Sequence, residues 1–166
     1  AKPFGADADH VLTGGLPARN RLSGAIDDKD RLWMAGEHGQ IRIYQLPITS
    51  SSAAPIADWA RLYWADTGAE VTRDGGSFVQ VSSIAFDRLQ RRMYLADATG
   101  TRIFRVSHYD DFDDQLYVDM VLGQLNKTET RCNQGMSGPT ARTLCRVTQI
   151  KFDREGNLYV VDNAYE

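Results

Sequence analysis

The stretch that decides the fold is Val147 to Asp162, VTQIKFDREGNLYVVD. It opens as an apolar alternating run, Ile150 and Phe152, and ends that run on Asp153. A polar turn follows, Arg154-Glu155-Gly156-Asn157. A second run, Leu158 to Asp162, is rich in β-branched and aromatic residues. Two β-rich runs around a short glycine-containing turn predict a hairpin.

The same phrase occurs twice more, as VSSIAFDRLQRRMYLAD from Val81 to Asp97 and as LSGAIDDKDRLWMAG from Leu22 to Gly36. The first runs end on Asp27, Asp87 and Asp153, and the second runs open on Trp33, Tyr94 and Tyr159. The matched aspartates are 60 and then 66 residues apart. A third strand is predicted after two copies, at Gln40 to Tyr44 and at Thr101 to Val106. A fourth kind of strand lies between copies: Tyr117 to Gln124, with His10 to Gly14 matching its end and Leu62 to Ala65 filling the slot in the middle module. Trp33, Tyr63 and Tyr94 also offer a shorter spacing. Four strands and their turns need roughly 40 residues, however, so the longer period is preferred. The expectation is an all-β chain of modules at 8–47, 56–107 and 115–166, each a four-stranded antiparallel blade of a β-propeller.

The phrases IAFDRLQRRMYLADATGTRIFRV and IKFDREGNLYVVDNAYE resemble NHL repeats, and Val121-Leu122-Gly123-Gln124 is similar to the interblade strand of bacterial NHL-type propellers. The resemblance implies a ring of about six blades. About three are present here and the last is incomplete, so the rest of the ring is expected from chain outside this sequence, since an open ring exposes strand edges. The first module departs from the pattern: Gly36 stands where the strand-ending Asp is expected.

At 166 residues and 42% apolar content the chain can bury a core. A net charge of −3 gives no general case for nucleic-acid binding, although Arg88, Arg91 and Arg92 cluster locally. No apolar run of about 18 residues is present, so no membrane span is expected. Cys132 and Cys145 are the only cysteines and flank a long turn-rich segment after Gln124. Either they close it as a disulfide, the preferred reading, or they are two buried thiols. A disulfide points to an extracellular, cell-surface or periplasmic protein. Asn126-Lys127-Thr128 is a glycosylation acceptor triplet. Asp110 to Asp114 lack the glycine and closing glutamate of a calcium loop, so a solvated turn is the default. Trp59, Tyr63 and Trp64 are read as packing between blades rather than as a stacking platform.

In a down-up-down-up blade, the turn between the second and third strands shares one end with the connection to the next blade. That argument gathers Glu37, His38, Asp97, Thr99, Arg102 and Asp162 at the end carrying loops 66–80 and 124–146. These are the ligand-face candidates, because loops on a rigid scaffold carry binding. For Asp97 and Asp162 the preferred role is structural: capping turns through backbone N–H groups, with Asp97 also paired to Arg102. No nucleophile elbow, phosphate loop or metal-ligand spacing is present, so no catalytic residue, metal ligand or cofactor is identified. Ser23, Ser82 and Ser83 are read as small residues suited to a crowded axis. Three functions follow: a scaffold for a protein or glycan ligand; a metal-dependent lactonase- or lyase-like enzyme with calcium or zinc in the channel of the full ring, as related propellers imply; or a structural bead in a larger assembly.

Overall fold

The computed structural model describes residues 23–35, 40–49, 53–71, 80–97, 101–110 and 115–163, without the Trp59 side chain. Among these residues the chain is all-β, with no α-helix and one 3-10 turn at Cys132–Gly135. Ten strands form: β1 (Ser23–Ile26), β2 (Arg31–Ala35), β3 (Ile41–Gln45), β4 (Ala57–Trp64), β5 (Val81–Asp87), β6 (Arg92–Asp97), β7 (Arg102–Ser107), β8 (Gln115–Leu122), β9 (Val147–Phe152) and β10 (Leu158–Asp162).

The repeated aspartate makes each hairpin. Asp27 Oδ1 accepts the Lys29 and Arg31 backbone N–H groups, both at 2.9 Å. Asp87 Oδ1 takes those of Leu89 and Gln90 at 3.0 and 3.1 Å. Asp153 Oδ1 takes that of Asn157 at 2.8 Å. A short carboxylate that satisfies turn donors fixes where the strand stops.

β1 to β4 form one antiparallel meander and β5 to β8 another. The two are joined edge to edge by parallel pairing of β4 with β8, Arg61–Trp64 against Gln115–Val118, into an eight-stranded sheet of order β1-β2-β3-β4-β8-β7-β6-β5. β9 and β10 form a separate hairpin. Trp33 and Tyr94 both lie in second strands, whereas Tyr63 lies in β4.

The sequence reading is corrected at the fourth strand. Leu62–Ala65 was expected to serve the middle module, but β4 is hydrogen-bonded to β3, and β8 to β7. The hydrogen-bonded units therefore run over 23–64 and 81–122. Strand pairing is a long-range choice, and the local pattern of these runs does not encode it.

The first strands lie side by side, β1 against β5 and β5 against β9. Serine hydroxyls fasten them. Ser23 Oγ accepts the Ile84 N–H at 3.2 Å, and Ser83 Oγ accepts the Ile150 N–H at 3.1 Å. Both serines stand four residues before their aspartate, and both acceptances fall three residues before the next one. The larger core cluster runs between the meanders. Trp33, fully buried, meets Phe86 and Tyr109 edge-on, with ring centroids 5.7 Å away in each case. Trp64 meets Phe104 at 5.9 Å.

Candidate functional site: the loop-covered end

Two sequence features build this end. β6 finishes on Asp97 and β7 opens on Arg102, which are cross-strand partners. Both side chains are fully buried, with Arg102 Nε 3.1 Å from Asp97 Oδ2. Arg102 Nη1 donates to the Lys127 carbonyl at 2.7 Å, and the guanidinium lies 4.8 Å over the Phe104 ring. A planar guanidinium suits this position, holding a carboxylate and a carbonyl while its face covers an aromatic ring. Arg102 Nη2 is buried without a partner.

The 123–146 segment is fastened over this pair. Gln124 Nε2 donates to the Thr101 and Arg131 carbonyls, both at 3.0 Å. Gln134 Nε2 donates to the Arg142 carbonyl at 3.0 Å. Gly123, at φ +91°, makes the turn out of β8 where the Leu144 side chain comes close. The Cys132–Cys145 disulfide closes the segment, with a Cα–Cα distance of 4.1 Å. Of the two readings left open for the cysteines, the structure has the disulfide.

Asp162 has partners the sequence did not point to. Its carboxylate accepts the Cys145 N–H at 3.0 Å and the Arg146 N–H at 2.7 Å. It anchors the chain entering β9; the turn it was expected to cap lies outside the described residues. The structure therefore joins Asp97 and Arg102 in one ion pair and sets Asp162 on the same stapled segment. Glu37, His38 and Thr99 lie outside the described residues, as do His10 and Asp111 to Asp114.

A groove of about 480 Å³ opens beside this segment, between the end of β4 and the end of β8. Trp64, Met120, Val121 and Leu125 form its apolar wall, with Asp66, Asn126 and Lys127 at the polar edge. Leu125 is 75% exposed. Lys127 Nζ lies 5.4 Å over the Trp64 ring and 2.7 Å from Asp66 Oδ2. The hydrogen bond from Lys127, more than the opposing desolvation, holds the Asp66 carboxyl below its usual value. Asn126, the acceptor of the glycosylation triplet, is exposed; its Oδ1 accepts the Thr128 hydroxyl at 2.9 Å. Sequence reading missed this groove because it depends on β4 lying beside β8. The adjacent aromatics at Tyr63 and Trp64 were the only local signal. They pack between the meanders as expected, Trp64 on Phe104 and Tyr63 on Tyr117 at 6.2 Å.

The opposite end carries charge. Asp110, from the acidic cluster, receives Arg31 at 2.5 Å, Lys29 at 3.2 Å and Arg91. Burial by itself would raise its carboxyl; the bonds from Arg91, Lys29 and Arg31 outweigh that and hold it below the usual carboxylate range. Asp110 thus makes an ion network, while the rest of the cluster expected as a solvated turn lies outside the described residues. A second cavity, about 830 Å³, is lined by the three first strands and the turns at Asp87–Leu89 and Asp153–Glu155. Among the described residues no group of three or more His, Cys, Asp or Glu side chains is placed to hold a metal. Among the described residues no helix is long and apolar enough to cross a membrane.

No family model matches the chain, and no curated protein matches it. Among solved structures, a chain of a mitotic checkpoint complex is similar over 85% of this chain, at 12% identity and a TM-score of 0.38; the match spans about half (47%) of that chain.

Proposed function

We propose that the chain is part of an NHL-type β-propeller, its meanders acting as blades, and that it works as a binding scaffold for a protein or glycan ligand. The rest of the ring comes from further chain. The observation that carries this reading is the long 123–146 segment, tied by a disulfide and by side-chain bonds over one end, beside a groove with an exposed leucine at its rim. A rigid frame holding an ordered irregular segment is how binding surfaces are built. The disulfide supports an oxidising location, extracellular, surface or periplasmic.

The test is a panel of immobilised glycans and secreted proteins, followed by two variants. Leu125→Asp, in the groove wall, is expected to weaken any ligand found by more than about tenfold. Leu89→Asp is a control at the opposite end, where Leu89 is 67% exposed; it is expected to leave affinity unchanged. Loss of binding with Leu89→Asp and not with Leu125→Asp moves the site to the turn end and overturns this reading.

A further inference from the structure

Asn126 opens the triplet Asn126-Lys127-Thr128, and the chain's other four asparagines, Asn20, Asn133, Asn157 and Asn163, begin no such triplet. The fold presents this one side chain in a particular way. Asn126 and Thr128 are both exposed. Asn126 Oδ1 accepts the Thr128 N–H at 3.0 Å, the Thr128 hydroxyl at 2.9 Å and the Glu129 N–H at 3.0 Å. Three donors on the carboxamide oxygen fix the orientation of the group. The nitrogen, Nδ2, makes no hydrogen bond among the described residues. The contrast with other asparagines is direct: Asn133 is buried, and Asn157 donates its Nδ2 to Asp153 Oδ2 at 2.9 Å.

The backbone under Asn126 is held on both sides. Gln124 is bonded to the Thr101 and Arg131 carbonyls, and the Lys127 carbonyl takes Arg102 Nη1. Arg131 Nε lies 3.1 Å from Glu129 Oε2. Asn126 stands at the polar edge of the groove whose walls are the ends of β4 and β8. A large solvated group on Nδ2 therefore extends outward without displacing buried side chains. The Cys132–Cys145 disulfide is an independent observation. It belongs to an oxidising, exported setting, and the acceptor triplet is a surface signal in exported proteins.

We infer that Asn126 is the attachment site of an N-linked glycan. The sugar donor is an oligosaccharide carried on a polyprenyl pyrophosphate. A bond forms between Asn126 Nδ2 and the anomeric carbon of the first sugar. The bond from that carbon to the pyrophosphate oxygen breaks, and the polyprenyl pyrophosphate leaves with the electron pair. Nδ2 gives one proton to a base of the transferase, and nothing is oxidised or reduced. The modification adds bulk and solvation at the rim of the groove. It goes beyond the scaffold reading and does not depend on it.

The test uses two preparations of the full chain: the protein isolated from its own host, and the chain translated behind a secretory leader with microsomes that hold the transferase and its lipid-linked donor. Each is treated with peptide-N-glycosidase and mapped by peptide mass spectrometry, since release converts a linked asparagine to aspartate. Both are expected to carry one glycan-sized mass increment, lost on treatment, with aspartate left at position 126. In the microsomal preparation, Asn126→Gln and Thr128→Ala are expected to abolish the increment. Thr128→Ser, which keeps the hydroxyl, is expected to retain it. Transfer occurs as the chain enters the microsome, so the readout stands even for a variant that folds poorly. An unmodified Asn126 in either preparation overturns the proposal. So does an increment that survives Thr128→Ala, because the sugar then sits on another residue. Alkylation of Cys132 and Cys145 in the host protein without prior reduction removes the compartment on which the inference stands, and overturns it as well.

Discussion

Arg102 shows how one side chain holds two elements at once. Its guanidinium pairs with a carboxylate that is entirely out of water and also takes the carbonyl of Lys127, so it ties the β6–β7 turn to the stapled segment. Removing it leaves Asp97 as a buried charge without that counter-ion, although not without other bonds. Arg102→Met is therefore expected to lower stability by about 3–5 kcal/mol in urea unfolding, the cost of breaking rather than replacing a buried pair. Asp97→Asn combined with Arg102→Met should recover part of that loss, because the charge goes with its partner. Equal losses in the single and double variants would count against the pair as the source.

At the scale of elements, the 123–146 segment depends on its first residue. Gly123 has a backbone conformation that side chains rarely adopt, and a Cβ there would stand 2.5 Å from Leu144 Cδ1. Gly123→Ala should cost about 1–3 kcal/mol through strain and overpacking. It should also raise exchange at the Asn133 N–H, which donates to the Leu144 carbonyl at 3.0 Å. The hairpins around this segment were legible in the sequence because the signal is local: Asp27, Asp87 and Asp153 close turns a few residues on, and a carboxylate needs nothing remote to do so. The parallel seam between β4 and β8 was not legible, since nothing in Leu62 to Trp64 names Leu116 to Val118 as its neighbour. The two ends of the candidate site divide along the same line. The Asp97–Arg102 pairing is a five-residue relation and was foreseen. The anchoring of Cys145 and Arg146 by Asp162 crosses from one strand of a hairpin to the approach of the other, and was not foreseen. The serines were noticed for their size; their position relative to each aspartate carried the further signal.

For the whole molecule, the two meanders are joined at the outer seam, through the aromatic core and across the turn-end ion network. Asp27 sits in that network's first row. Burial would raise its carboxyl, but the Arg31 backbone, Trp33 indole, Arg31 guanidinium and Lys29 backbone donors hold it below the usual value. Asp110 is lowered as well. A carboxylate whose folded pKa lies below the unfolded value near 3.8 contributes stability that is fully present above that value. The contribution is lost as pH falls through the lower folded pKa. Urea midpoints should therefore be flat from about pH 7 to 5 and drop below about pH 4. In Asp110→Asn the acid drop should be shallower, with a lower starting stability. An unchanged acid limb in that variant would remove Asp110 from the account.

The serine hydroxyls give the fold a way of growing. The first two copies carry, four residues before their aspartate, a serine acceptor that receives the copy after it, and the last two carry an N–H that is received by the copy before; the middle copy has both. A gene duplication that inserts one more copy of that middle unit therefore imports both halves of the joint. The newcomer is held on both sides with no compensating change in its neighbours, so lengthening by whole units is the route of evolutionary change this architecture makes easiest.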